Sequence, residues 1–187
     1  MLKPQRILIM GLPGAGKTYL AQYVLEQLQN AGKTVTWLNA DDIRAKYNDW
    51  DFSDAGRLRQ VLRMTHMADE SDTDYVVCDF VCPTYYYRQV FDADCIVWLN
   101  TIDEGRYEDT NKLFQEPDEA DYVITDWAQT DDMIANIIAA YSVNRESRMR
   151  SAAKALSWRT LGTIDTFIIS YIIFSIFNNI AFKYFSR

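Results

Sequence analysis

The feature that most restricts this chain lies near its start. Ile7-Leu8-Ile9-Met10 is a short apolar run, and Gly11-Leu12-Pro13-Gly14-Ala15-Gly16-Lys17-Thr18 follows it directly. Such a continuous run reads as a parallel strand buried on both faces. The residues after it fit G-x-x-x-x-G-K-[ST], and Tyr19 to Gln29 is compatible with a helix. Strand, glycine loop and helix in this order is the setting in which that motif binds phosphate. Glycines let backbone N–H groups close around phosphate oxygens with no Cβ in the way. The helix N-terminus adds partial positive charge. Gly11 to Thr18 therefore form the candidate ATP-binding loop. Lys17 can reach the β- and γ-phosphates, and the Thr18 hydroxyl can ligate Mg²⁺.

The rest of the chain repeats strand and helix. Further strands are expected at Thr34 to Asn39, Tyr75 to Asp79, Cys95 to Leu99 and Tyr122 to Thr125. Asp41 and Asp42 close the second strand, and Arg44 to Asp51 reads as a polar, irregular segment. Ser53 is the expected N-cap of a helix from Asp54 to about Ala68. Tyr85 to Phe91 is a short helix, and Ile102 to Glu116 a polar, partly helical excursion. Met133, Ile134, Ile137, Ile138 and Tyr141 recur with a helical period from Asp131 to about Asn144. The alternation implies an α/β fold, a five-stranded parallel sheet with helices on both faces, followed by a C-terminal hydrophobic helix. Ligands should gather beyond the carboxyl ends of the strands.

Charge divides the chain. Residues 1–140 hold 12 Lys and Arg against 24 Asp and Glu, whereas residues 141–187 hold 7 against 2. So acidic a first part argues against nucleic-acid binding through a basic surface. The cysteines, Cys78, Cys82 and Cys95, are odd in number and suit a reducing compartment. With one histidine in the chain, a zinc site is not expected. No signal peptide is visible at the start.

In the tail, Arg145, Arg148, Arg150, Lys154 and Arg159 form a basic segment before Leu161 to Phe182. That apolar run carries one charge, Asp165, and Lys183 and Arg187 follow it. As a helix it is about 33 Å long, enough for a bilayer core of about 30 Å. The upstream cations would keep the N-terminal side cytoplasmic. The expected organisation is a kinase-like domain over 1–144, a basic linker or helix over 145–160 and a transmembrane helix over 161–182, with a cytoplasmic catalytic domain anchored to the membrane. An interfacial helix, or a helix packed within a soluble homo-oligomer, are the other readings of 161–182.

Several charged residues fall where the fold should gather ligands. Asp79 ends an apolar strand, where an acid serves a Mg²⁺ shell or simply caps a turn. Asp41 could orient or deprotonate an attacking hydroxyl, and Arg44 could hold an anionic acceptor. Arg57, Arg59 and Arg63 lie on one helix; Arg59 and Arg63 share a face, a solvated one by default. Arg88 and Arg106 are expected on the ligand side, with Arg106 on a closing lid that meets transferring phosphate charge. Tyr85-Tyr86-Tyr87 is expected to pack, and His66 to lie on a helix surface or in the core.

Together these segments resemble adenylylsulfate kinase. The resemblance rests on GLPGAGKT, on Leu38-Asn39-Ala40-Asp41-Asp42-Ile43-Arg44, on Asn48-Asp49-Trp50-Asp51-Phe52-Ser53 with Arg57, and on Phe80-Val81-Cys82-Pro83 with Arg88. It covers roughly residues 5–126. It implies transfer of phosphate from MgATP to the 3′-hydroxyl of adenylyl sulfate. It also implies that Arg44 and Arg57 hold the phosphosulfate, that Phe52 stacks on the adenine and that Val81 touches the acceptor. By the same resemblance Gln60 replaces an acceptor-contacting asparagine, and Asp41 sits near the acceptor hydroxyl and Mg²⁺. The candidate catalytic set is Lys17, Asp41, Asp79 and Arg106, and the candidate metal set is Thr18, Asp41 and Asp79. Asn39 and Ala40 stand where the family has an acid and a glycine, and Gly105 to Asn111 replaces its lysine-bearing lid. A kinase for another small hydroxyl acceptor, or a non-catalytic membrane-tethered nucleotide-binding module, are the competing readings. The tail from Lys154 to Thr166 resembles the opening of a small membrane domain of unknown function.

Overall fold

A computed structural model describes residues 3–140. The strands are β1 (Gln5–Gly11), β2 (Val35–Asn39), β3 (Tyr75–Asp79), β4 (Cys95–Leu99) and β5 (Tyr122–Ile124). They pair in the order β2-β3-β1-β4-β5, every pairing parallel. Between them run α1 (Lys17–Asn30), α2 (Ala40–Tyr47), α3 (Asp54–Asp69), α4 (Tyr85–Phe91) and α5 (Glu108–Leu113). A 3-10 turn, Trp127–Gln129, leads into a helix over 130–140. The expected segment 161–182 lies outside the described residues. Among the described residues no helix is long and apolar enough to cross a membrane.

The apolar strands are buried on both faces. Leu8, Met10, Val76, Cys78, Ile96 and Trp98 join Val61 and Met64 of α3 and Tyr87 and Phe91 of α4 in one cluster. Side chains alternate along a strand, so Ile7, Ile9, Val77 and Val97, all fully buried, face the other way. Leu20, Ala21, Val24 and Leu28 are the buried residues of α1. Burying such a side chain contributes about 1.5–3 kcal/mol, which is why Ile7 to Met10 of β1, Val76 to Cys78 of β3 and all of β4 are apolar.

Helix ends follow local chemistry. Ser53 caps α3, its hydroxyl accepting the Gly56 N–H at 3.3 Å. Thr84 caps α4 through the Tyr87 N–H at 3.2 Å. One expected feature is corrected. Asp41 and Asp42 do not end a strand, and the irregular segment from Arg44 does not begin there. Ala40–Tyr47 is a helix, with Asn39 as its cap and Asn48 as its left-handed stop at φ 48°. The Asn39 side-chain Oδ1 accepts the Asp41 and Asp42 N–H groups at 3.0 and 2.9 Å. Both acids stand in the first turn, where negative charge meets the positive end of the helix dipole.

Candidate active site

The order β2-β3-β1-β4 brings the carboxyl ends of β1, β2 and β3 to one edge. In register, Asn39 pairs with Asp79 and Asp79 with Ile9. The phosphate loop leaves β1 beside them. Gly16 holds φ 98° at the start of α1, and the Trp127 ring comes within 2.8 Å of where a Cβ would stand. Position 16 thus excludes any side chain twice, by backbone conformation and by contact. Gly11, Leu12 and Ala15 form the inner side of the loop. Pro13, Gly14, Gly16, Lys17 and Thr18 line a cleft of about 600 Å³.

Thr18 and Asp79 meet in the lining of that cleft. The Thr18 hydroxyl donates to Asp79 Oδ2 at 2.8 Å, and the Asn39 amide donates to the same oxygen at 2.9 Å. Trp37 Nε1 donates to Asp79 Oδ1 at 2.8 Å. Burial raises the Asp79 carboxyl above its ordinary range, against the pull of these bonds and of Lys17. Lys17 Nζ donates to the Leu12 carbonyl at 2.9 Å. Burial pushes its ammonium down to about 8, opposed by Asp79 and Asp41.

A resident Mg²⁺ can be tested against these donors. Among the described residues no group of three or more His, Cys, Asp or Glu is placed to hold a metal. Mg²⁺ does not need one, since it is held by one or two oxygen ligands together with phosphates and water. A hydroxyl and a desolvated carboxylate in contact fit that demand. Thr18 and Asp79 are the residues that would hold it. Asp41 is exposed on the first turn of α2, on the cleft wall and near enough to Lys17 to act on its charge.

The opposite wall comes from α2, α3 and the loops around them. Arg44 is 5% exposed; its Nη1 donates to the Asp49 and Asp51 carbonyls at 2.9 and 3.1 Å. Its guanidinium lies 4.6 Å from the Phe52 ring centre. Arg57 is 9% exposed, with Nε on the Phe52 carbonyl at 2.8 Å and Nη2 on Asp109 Oδ2 at 2.8 Å. Phe52 is half-exposed, an open aromatic face backed by two cations. Gln60 is buried and donates to the Ala40 carbonyl at 3.1 Å, tying α3 to α2. Val81 also lines the cleft, beside Cys82 at φ 42°. Burial raises the Cys82 thiol above its ordinary range. Arg106 lies over Gly14, its Nε 3.5 Å from the position of a Cβ.

All the expected site residues except Gly11, Leu12 and Ala15 therefore line one cleft. Arg88 does not. It is buried against Glu119 and the Gln115 carbonyl, at 2.5 and 3.0 Å. Arg59 and Arg63 share a face, as expected, and both grip Asp49. His66 is exposed at the surface of α3. Trp37, Trp50, Tyr107 and Asp109 were not singled out by the sequence. Trp50 lay within a segment that carried the resemblance, Tyr107 and Asp109 lay within the expected lid, and Trp37 carried a signal as the indole two residues before Asn39 on the same strand face.

Known proteins share this fold. Residues 3–95 match the adenylylsulphate kinase family. The match holds the phosphate loop, α2, α3, the loop after β3 and α4. An adenylylsulphate (APS) kinase of Mycobacterium tuberculosis, solved with AMPPNP and APS, is 19% identical. The alignment covers 74% of this chain and 98% of that one, with a TM-score of 0.59. A mutant of the same kinase is 22% identical over 74% of this chain and 97% of that one, also at 0.59. A gluconokinase of Sinorhizobium meliloti is 15% identical, over 79% and 97%, at 0.53. These likenesses establish the P-loop kinase fold. No curated protein matches the chain. Residues 152–180 match a family described as predicted membrane protein; they lie outside the described residues.

Proposed function

We propose that this chain is an adenylylsulphate kinase, moving the γ-phosphoryl group of MgATP to the 3′-hydroxyl of adenylyl sulfate. The observation that carries the reading is one cleft with a phosphate loop on one wall and Arg44, Phe52 and Arg57 on the other. A flat base fits the open face of Phe52, and a dianionic linkage fits two buried guanidiniums.

The two acids differ in freedom. Both Asp79 oxygens are engaged by Thr18, Asn39 and Trp37, whereas Asp41 stands exposed on the cleft wall. We assign Asp41 to orient the acceptor hydroxyl and take its proton as the new O–Pγ bond forms and the bond to ADP breaks. Asp79 and Thr18 would hold Mg²⁺, which when bound neutralises charge on the phosphates. Lys17 and Arg106 flank the transferring group and stabilise its charge, and most of the catalysis is positioning.

The deciding experiment is a coupled assay of the full chain with ATP, Mg²⁺ and a panel of hydroxyl acceptors. Adenylyl sulfate should give the highest kcat/KM, and Lys17→Ala should lower kcat by about 10²-fold or more. ATP consumption with no dependence on adenylyl sulfate would sink the assignment. The match over 152–180 supports a membrane tether for the kinase domain. Equal partitioning of the full chain and of residues 1–150 away from vesicles would refute it.

A further inference from the structure

The segment 105–119 is fastened on both sides of the cleft. Toward the phosphate loop, the Arg106 N–H donates to the Pro13 carbonyl at 3.3 Å. Asn111 brackets Gly105 with bonds of 3.0 and 3.1 Å. Toward the loop after β3, the Gln115 N–H donates to the Pro83 carbonyl at 2.8 Å. Arg88 holds the same stretch through Gln115 and Glu119. Between these fastenings α5 sets Asp109 on Arg57, at 2.8 Å, with the Thr110 hydroxyl accepting a second bond from the same Nη2 at 3.2 Å. A carboxylate thus stands in the acceptor half of the cleft, on one of the cations assigned to the acceptor.

The two partners are unequal. The Arg57 side chain is 10% exposed and that of Asp109 is 66% exposed. Arg57 is held in place by the Phe52 carbonyl. A buried guanidinium is costly without an anion. Asp109 can return to water at small cost, because most of its surface is already there. An incoming anion can replace Asp109, but it has to outcompete it.

We propose that Asp109 is a specificity-determining residue that stands in for the acceptor's anion at Arg57, so that only an acceptor with a compact, strongly anionic group displaces it. The proposal rests on the reading of Arg57 as an acceptor-binding residue. Neutral or weakly charged hydroxyl compounds leave the pair closed and are discriminated against. The acceptor class selected is one that bears a sulfate- or phosphate-like group.

The test uses the full chain saturated with MgADP, so that the phosphate loop is filled. Inorganic sulfate is then titrated calorimetrically into wild type, Asp109→Asn, Asp109→Glu and the double variant Arg57→Ala/Asp109→Asn. Asp109→Asn should bind sulfate about 2–5-fold more tightly, from the usual worth of such a pair. Asp109→Glu should stay near wild type, and the double variant should lose the gain. KM for adenylyl sulfate should fall in Asp109→Asn by the same factor. Equal or weaker sulfate binding by Asp109→Asn overturns the proposal, as does a gain that survives loss of Arg57. Wild type that does not turn over adenylyl sulfate would refute the proposed reaction, while the sulfate titration still decides the role of Asp109.

Discussion

Asn39 shows how much one amide can carry. Its oxygen caps α2 through two backbone N–H groups, and its nitrogen donates to Asp79 at 2.9 Å. The adenylylsulfate kinase pattern that these segments resemble has an acid at this position. An aspartate would keep the cap but turn the donor into a second carboxylate facing Asp79. Two carboxylates that close cannot both ionise cheaply, and one raises its pKa or a cation bridges them. We therefore expect Asn39→Asp to cost about 1–3 kcal/mol of stability near neutral pH without Mg²⁺. Mg²⁺ should restore the variant by more than it stabilises wild type. Thermal melts with and without Mg²⁺ check this, and an equal Mg²⁺ response in both proteins would count against it. In the sequence, Asn39 is visible only as a departure from a pattern. Its double role depends on the register that pairs it with Asp79, and register between distant strands is not written in either strand alone.

At the scale of elements, legibility follows the strength of the local signal. β3, β4 and α4 match their expected bounds to the residue, because apolar runs between turn residues leave little freedom. Ala40–Tyr47 does not read as a helix, since Ala40, Ile43 and Arg44 are its buried residues and so few make no visible period. Its helix is set by a cap and a left-handed stop instead. Arg88 was placed on the ligand side because α4 starts there, but the side chain turns to Glu119, a partner that sequence distance conceals. The start of α3 at Asp54 is as expected, but the packing of the loop before it is concealed. A Cβ on Gly56 would stand 2.3 Å from the Asp51 carbonyl oxygen, so the loop 49–53 lies against the helix only because residue 56 has no side chain. That loop carries Phe52 and the carbonyls that fix Arg44 and Arg57. Gly56→Ala should push the loop away, costing about 1–3 kcal/mol by overpacking. KM for the acceptor should rise several-fold more than KM for ATP. A parallel rise in both constants would mean that the loop serves the fold alone.

For the molecule as a whole, the excess of acid in residues 1–140 sets the response to pH. General repulsion among carboxylates eases on acidification, but Asp49 works in the opposite sense. It joins the turn after α2 to α3 through Arg59 at 2.8 and 2.9 Å and Arg63 at 2.8 Å. The Arg59 and Arg63 hydrogen bonds hold its carboxyl well below the ordinary range. A carboxyl depressed in the folded state binds fewer protons there than in the unfolded chain. Its contribution is therefore fully present above the unfolded pKa, about 3.9, and is lost as pH falls from there toward the folded value. Asp49→Asn removes the charge at every pH. The variant should be less stable than wild type at pH 7, and the gap should narrow steadily below about pH 4. Urea unfolding midpoints at neutral and acidic pH measure both arms. A gap that stays constant across the range would mean that packing around residue 49, rather than the carboxylate, joins the acceptor wall to the rest of the domain.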